Sequence, residues 1–67
     1  MISLNQQIEE VEREIALRER VYPRQVSSGK MRQSLADFHI DRMRAVLLTL
    51  EWLRQNEATI KAKMEAA

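Results

Sequence analysis

The sequence predicts an all-α fold: one domain over residues 1–67, an antiparallel two-helix hairpin expected to dimerise into a four-helix bundle. Three observations lead there. Ala36, His39, Met43, Val46, Leu50, Leu53, Glu57, Ile60 and Met64 recur at a 4-3 spacing, seven of the nine are apolar, and no Gly or Pro interrupts them. Such a run is a long amphipathic helix with a stripe to bury. A second stripe at the same spacing, Leu4, Ile8, Val11, Ile15, Arg18 and Tyr22, precedes it. The one Pro and the one Gly both fall in Pro23–Met31, a connection short enough to make the helices antiparallel neighbours.

Helix one is expected over about residues 3–27. Ser3 is a good N-cap, and Gln6, three residues on, completes a capping-box pattern. Glu9, Glu10, Glu12 and Glu14 near its start and arginines further on suit the helix dipole. Glu9–Arg13 and Glu14–Arg18 are i, i+4 pairs in the favourable order, each worth a few tenths of a kcal/mol. Packing must therefore hold the helix. Pro23 lacks an N–H and clashes with the preceding turn, and it biases Tyr22 away from helical angles. Either the helix stops near Val21, or it kinks at Pro23 and runs to about Ser27. The kink is preferred, because Arg24–Val26 carries no turn or strand chemistry. Ser27, Ser28 and Gly29 signal the turn, with Gly29 placed for a left-handed conformation. Tyr22, Val26 and Met31 are positioned to fold back as a plug at the hairpin corner.

Helix two is expected over about 33–65, with Ser34 as a candidate cap and Lys61 and Lys63 complementing its far end. At about 1.5 Å per residue it spans roughly 48 Å against roughly 36 Å for helix one. The lengths do not match, so part of helix two must find cover elsewhere.

Composition narrows the function. Sixty-seven residues bury only about 60% of their unfolded surface, and small scaffolds need a staple. There is no Cys and a single His, which removes disulfides, Cys-based zinc sites and His-rich metal sites. Oligomerisation is the remaining route. The 45% hydrophobic content argues against disorder, and no apolar run approaches the roughly 18 residues of a membrane span. Met-Ile-Ser-Leu-Asn has no basic flank or apolar signal core, so a soluble cytoplasmic protein is expected. Net charge is +1. Yet Arg18, Arg20, Arg24, Lys30 and Arg32 face only Glu19 in residues 18–32, while residues 1–17 hold four glutamates and Arg13.

Helix two also carries Leu35, Ile40, Leu47 and Leu48 beside its stripe, and Phe38 and Trp52 on a third face. One packed helix covers one stripe, and each buried Leu or Phe stabilises by about 1.5–3 kcal/mol. A second hairpin is the direct solution. The dimer core is then expected from Ile8, Val11, Ile15, Met43, Val46, Leu47, Leu50 and Leu53, with Leu35 and Ile40 closing it. Phe38, Leu48 and Trp52, with Arg42 and Arg44, form the candidate surface for a different protein, since exposed apolar patches mark interaction sites and Trp is enriched among hot spots.

No catalytic pattern occurs. His39 has no second His or Cys to make a metal site, and its reading is structural or partly exposed. Glu57 either fixes register from a buried position or sits exposed and pairs with Lys61. Asp37, Asp41, Glu51 and Glu57 lack the Glu-x-x-His motifs of a di-metal bundle. There is no phosphate loop, nucleophilic triad or zinc spacing, so no enzyme activity and no cofactor are expected. Arg20, Arg24, Lys30 and Arg32 at the turn, with Tyr22 among them, are the nucleic-acid alternative. Helix two is too long for the recognition helix of a helix-turn-helix.

The segment Val21-Tyr22-Pro23-Arg24-Gln25-Val26-Ser27-Ser28-Gly29-Lys30-Met31 resembles small bacteriophage and prophage proteins with a Val-Tyr-Pro-Arg-x-Val-x-x-Gly-basic-Met core. Glu14-Ile15-Ala16-Leu17-Arg18 matches their lead-in, and a helix like Ile40–Leu50 follows, so the likeness covers about residues 10–53. Where many of those proteins have Thr at the start of the second helix, this chain has Arg32. In size and architecture the chain also resembles the phage-encoded quorum-sensing anti-activators, helical dimers that bind a host transcription activator and a pilus-assembly ATPase. The resemblance implies a homodimeric protein that binds and inhibits a host protein, a quorum-sensing activator among the candidates, in the host cytoplasm. A nucleic-acid-binding accessory dimer and a structural virion component are the alternatives.

Overall fold

The computed structural model describes residues 1–66. Two helices, α1 (Leu4–Ser27) and α2 (Gln33–Ala66), pack against each other as an antiparallel hairpin. Ser3 caps α1 from an extended conformation. Its hydroxyl accepts from the Gln6 N–H at 3.1 Å, and Gln6 Oε1 accepts from the Ser3 N–H at 2.9 Å. Two N–H groups left over at a helix start are thereby satisfied reciprocally.

α1 continues through Pro23, and Tyr22 is helical despite preceding it. Proline removes one backbone bond, to the Glu19 carbonyl, and the packed residues on either side hold the helix across that gap. Tyr22 before Pro23 and Val26 beyond it are half-buried, so the last turn is anchored by burial. The dipole expectation needs correction. The first turn holds no acid, and Glu9 stands a turn further on, beyond the reach of an effect confined to the terminal turn. Glu14–Arg18 pairs at 2.8 Å, whereas Glu9 and Arg13 form no ion pair among the described residues.

The end of α1 is a Schellman turn. The Lys30 N–H donates to the Gln25 carbonyl at 2.9 Å, and the Gly29 N–H to Val26 at 3.1 Å. Gly29 has φ +77°, the left-handed conformation that the motif requires and that glycine adopts without steric cost.

α2 starts from Arg32, whose carbonyl accepts from the Leu35 and Ala36 N–H groups, each at 3.1 Å. Ser34 therefore does not cap it. The Schellman turn uses the chain through Met31, so Ser34 already lies inside the first helical turn, where its hydroxyl cannot reach the orphan donors. Asp37 accepts from Gln33 Nε2 at 2.9 Å instead.

The seam is narrow. Ile8, Ile15 and Ala36 are the buried core among the described residues. Ala36 marks the face of α2 turned to α1. Ile40, Met43, Leu47 and Leu50 follow it at 4-3 spacing and are half-buried. The stripe read from sequence is thus rotated by about a residue: Ile40 and Leu47 lie in the seam, while His39, Val46 and Leu53 lie at its flank. Val46 is 44% exposed. Arg54 Nη1 donates to Asn5 Oδ1 at 3.1 Å and Arg44 Nη2 to Glu19 Oε1 at 2.7 Å, fixing the antiparallel register.

With Asn5 level with Arg54 and α1 beginning at Leu4, α2 beyond Glu57 runs past its partner helix. At ~1.5 Å per residue the overhang is about 13 Å. The molecule measures 55 × 20 × 15 Å. Its radius of gyration is 16.3 Å, against about 11 Å for a compact chain of this length.

Candidate interaction surfaces

Three surfaces collect the residues that the sequence singles out. The first is the outer face of α2, turned away from α1. Phe38 (51% exposed), Leu48 (67%) and Trp52 (57%) lie on it. Helical periodicity places Phe38, Leu48 and Trp52 within an arc of about 80° on one side, since each residue advances by about 100°. The Arg42 guanidinium sits 4.8 Å from the centre of the Phe38 ring, a cation–π contact that holds the charge over the aromatic face. The His39 ring meets the same Phe38 edge-on at 5.6 Å. Arg44 does not join this group. It turns toward α1 and pairs with Glu19, so Arg42, over Phe38, is the one expected arginine that stays with this face.

The second surface is an apolar groove along one side of the hairpin. Ile2, Gln6, Gln7 and Glu10 with Val11 line it from α1, and Val46 with Leu50 from α2. Three residues of the expected dimer core, Val11, Val46 and Leu50, therefore meet in one open trough. Ile8 and Ile15, by contrast, are already buried within the chain. Ile2 was not among the residues singled out, although a signal existed. A hydrophobic residue just before an N-cap ordinarily packs on the fourth helical residue, here Gln7. Ile2 thus has no apolar staple partner, and Gln7 Nε2 merely reaches the Ile2 carbonyl at 3.4 Å.

The third surface is the basic turn. Arg20, Arg24, Lys30 and Arg32 are exposed, and none forms an ion pair among the described residues. Arg18 leaves the cluster: it pairs with Glu14 at 2.8 Å and donates to the His39 carbonyl at 3.5 Å. Tyr22, Val26 and Met31 are half-buried, so Tyr22 is no free platform for a base. A shallow depression lined by Arg32, Ser34, Leu35 and Phe38 joins this end to the outer face.

The remaining polar residues assemble no chemistry. No group of three or more metal-ligating side chains occurs among the described residues. Glu57 is half-buried and pairs with Lys61 at 3.4 Å. No described helix is long and apolar enough to cross a membrane. No family model, curated protein or solved structure matches the chain.

Proposed function

We propose that the chain is a homodimeric, non-enzymatic interaction protein of phage type that binds and inhibits a host protein. One observation carries the reading. Phe38, Leu48 and Trp52 are all more than half exposed on the side of α2 opposite its seam with α1, where no other part of a hairpin can reach. Exposed large hydrophobic groups on one face mark a docking surface, and Trp and Arg are the residue types enriched in binding hot spots. The fitting partner presents an apolar helix or groove, with a carboxylate for Arg42. That it is a host protein, and that binding inhibits it, follows from the resemblance to phage proteins. A quorum-sensing transcription activator is the first candidate on architectural grounds.

Trp52 is the chain's one tryptophan, so its fluorescence reports on this face directly. Titrating a purified candidate activator should shift the emission to the blue and abolish activator function at stoichiometric amounts. Trp52→Ala should lose inhibition, and Leu17→Ala, on the far side of α1, should keep it. Equal inhibition by both variants would remove Trp52 from the reading.

The four exposed, unpaired bases at the turn favour one second reading, binding of a nucleic acid. It requires a salt-dependent gel shift that Arg24→Ala and Lys30→Ala weaken, and no retardation at low salt disposes of it.

A further inference from the structure

The groove of Val11, Val46 and Leu50 has a specific occupant. The chain exposes 5588 Å², whereas a compact monomer of 7.9 kDa exposes about 4,400 Å². The excess, roughly 1,200 Å², is the scale of surface one partner buries in a stable protein interface, about 800 Å² or more. The overhang beyond Glu57 adds a second demand. Ile60 and Met64 continue the groove-side stripe where α1 no longer runs beside it, and Met64 is 73% exposed.

We infer that a second copy of the chain lies on this groove with the two turns at opposite ends. Val46 of each copy is then level with the second copy's Leu53, and His39 with its Ile60. The register comes from full overlap of the two α2 helices. α2 spans Gln33–Ala66, so its midpoint falls between Thr49 and Leu50. The flanking stripe His39, Val46, Leu53 and Ile60 is centred on the same point. Full antiparallel overlap of two α2 helices therefore lays this stripe on itself, as an isologous two-fold contact demands. The same overlap places each overhang along the other copy's turn end, which shelters Ile60 and Met64. An arrangement with both turns at one end leaves each overhang only the other overhang for cover and brings the two basic turns together.

Charge selects the same orientation. Residues 18–32 hold five bases and one acid, and opposite ends keep the two clusters apart. Two like-charge approaches remain and both are exposed to screening by salt: Glu10 near its own counterpart at the groove edge and Lys63 of each overhang toward the other copy's turn, Lys61 being paired with Glu57. This inference rests on the homodimer in the proposed function but not on the outer face, because Leu48 and Trp52 stay clear of the groove.

The chain has no cysteine, so single thiols can be placed at will. Chains carrying Val46→Cys are mixed with mass-tagged chains carrying Leu53→Cys and joined with a short bis-maleimide, after matched helicity by circular dichroism. The mixed product should exceed either like product well beyond its random share. Leu50→Cys, next to the midpoint, should link to itself, and Ser34→Cys at the turn end should not. A dominant Ser34→Cys self-link, like products at Val46 and Leu53, or no linkage above that of diluted chains would overturn the arrangement. Trp52→Ala should leave every cross-link unchanged. Undiminished inhibition by Trp52→Ala with linkage intact therefore fails the outer-face reading alone, and absent linkage with Trp52-dependent inhibition fails this one alone.

Discussion

The two helices solve the burial problem differently. In α1 every member of the apolar stripe, from Leu4 through Ile8, Val11 and Ile15 to Tyr22, is buried or half-buried, and Leu17 alone among its large apolar side chains is well exposed. Both ends are closed, by the Ser3–Gln6 box and by the Schellman turn at Gly29. In α2 apolar residues occur on several sides. Leu35, Phe38, Val46, Leu48, Trp52 and Met64 are all more than 40% exposed, and the helix begins on the backbone carbonyl of Arg32 without a side-chain cap. α1 is a helix for one neighbour. α2 has one face for α1 and, in the proposed assembly, further faces for a second copy and another protein.

The contrast makes unequal substitutions the sharpest probe. Ile8→Ala should cost the most, about 2–4 kcal/mol in urea unfolding at fixed chain concentration, because Ile8 is 2% exposed and its loss leaves a void. Gly29→Ala should follow, at about 1–2 kcal/mol, since alanine is strained at φ +77°. Open space around Gly29 gives the added methyl nothing to pack on. Ser3→Ala should cost about 1 kcal/mol by opening the capping box, read as fraying of α1 in amide exchange. Trp52→Ala should change stability least, within about 0.5 kcal/mol, as an exposed substitution does. A larger loss from Trp52→Ala than from Ile8→Ala would break the distinction between the helices.

How much of this was legible in the sequence follows the same division. The capping box and Gly29 depend on residues within a few positions of each other, so local chemistry revealed them. The run of α1 through Pro23 depends on what packs beyond it, and only the half-burial of Tyr22 and Val26 decides between stopping and continuing. The start of α2 near residue 33 was legible, but its cap was not: Ser34, a good capping residue, is already committed to the helix by the preceding turn. The rotation of the α2 seam was hidden for another reason. With apolar residues on several sides, the stripes through His39–Val46–Leu53 and through Ile40–Leu47 satisfy the same periodicity, and only Ala36 opposite α1 selects one. Of the candidate surfaces, Phe38, Leu48 and Trp52 were readable as surplus, while the Arg44–Glu19 pair, joining residues 25 apart in sequence, was not. Ile2 was readable from its failed staple and was passed over.

The central claim is that a hairpin exposing this much apolar surface is completed by a copy of itself. Sedimentation equilibrium across a wide concentration range addresses it most directly. The expected result is a species of twice the 7.9 kDa chain mass, with a thermal midpoint that rises with concentration. A single-chain mass at the highest concentration, with a sharp melting transition that dilution does not move, would contradict it.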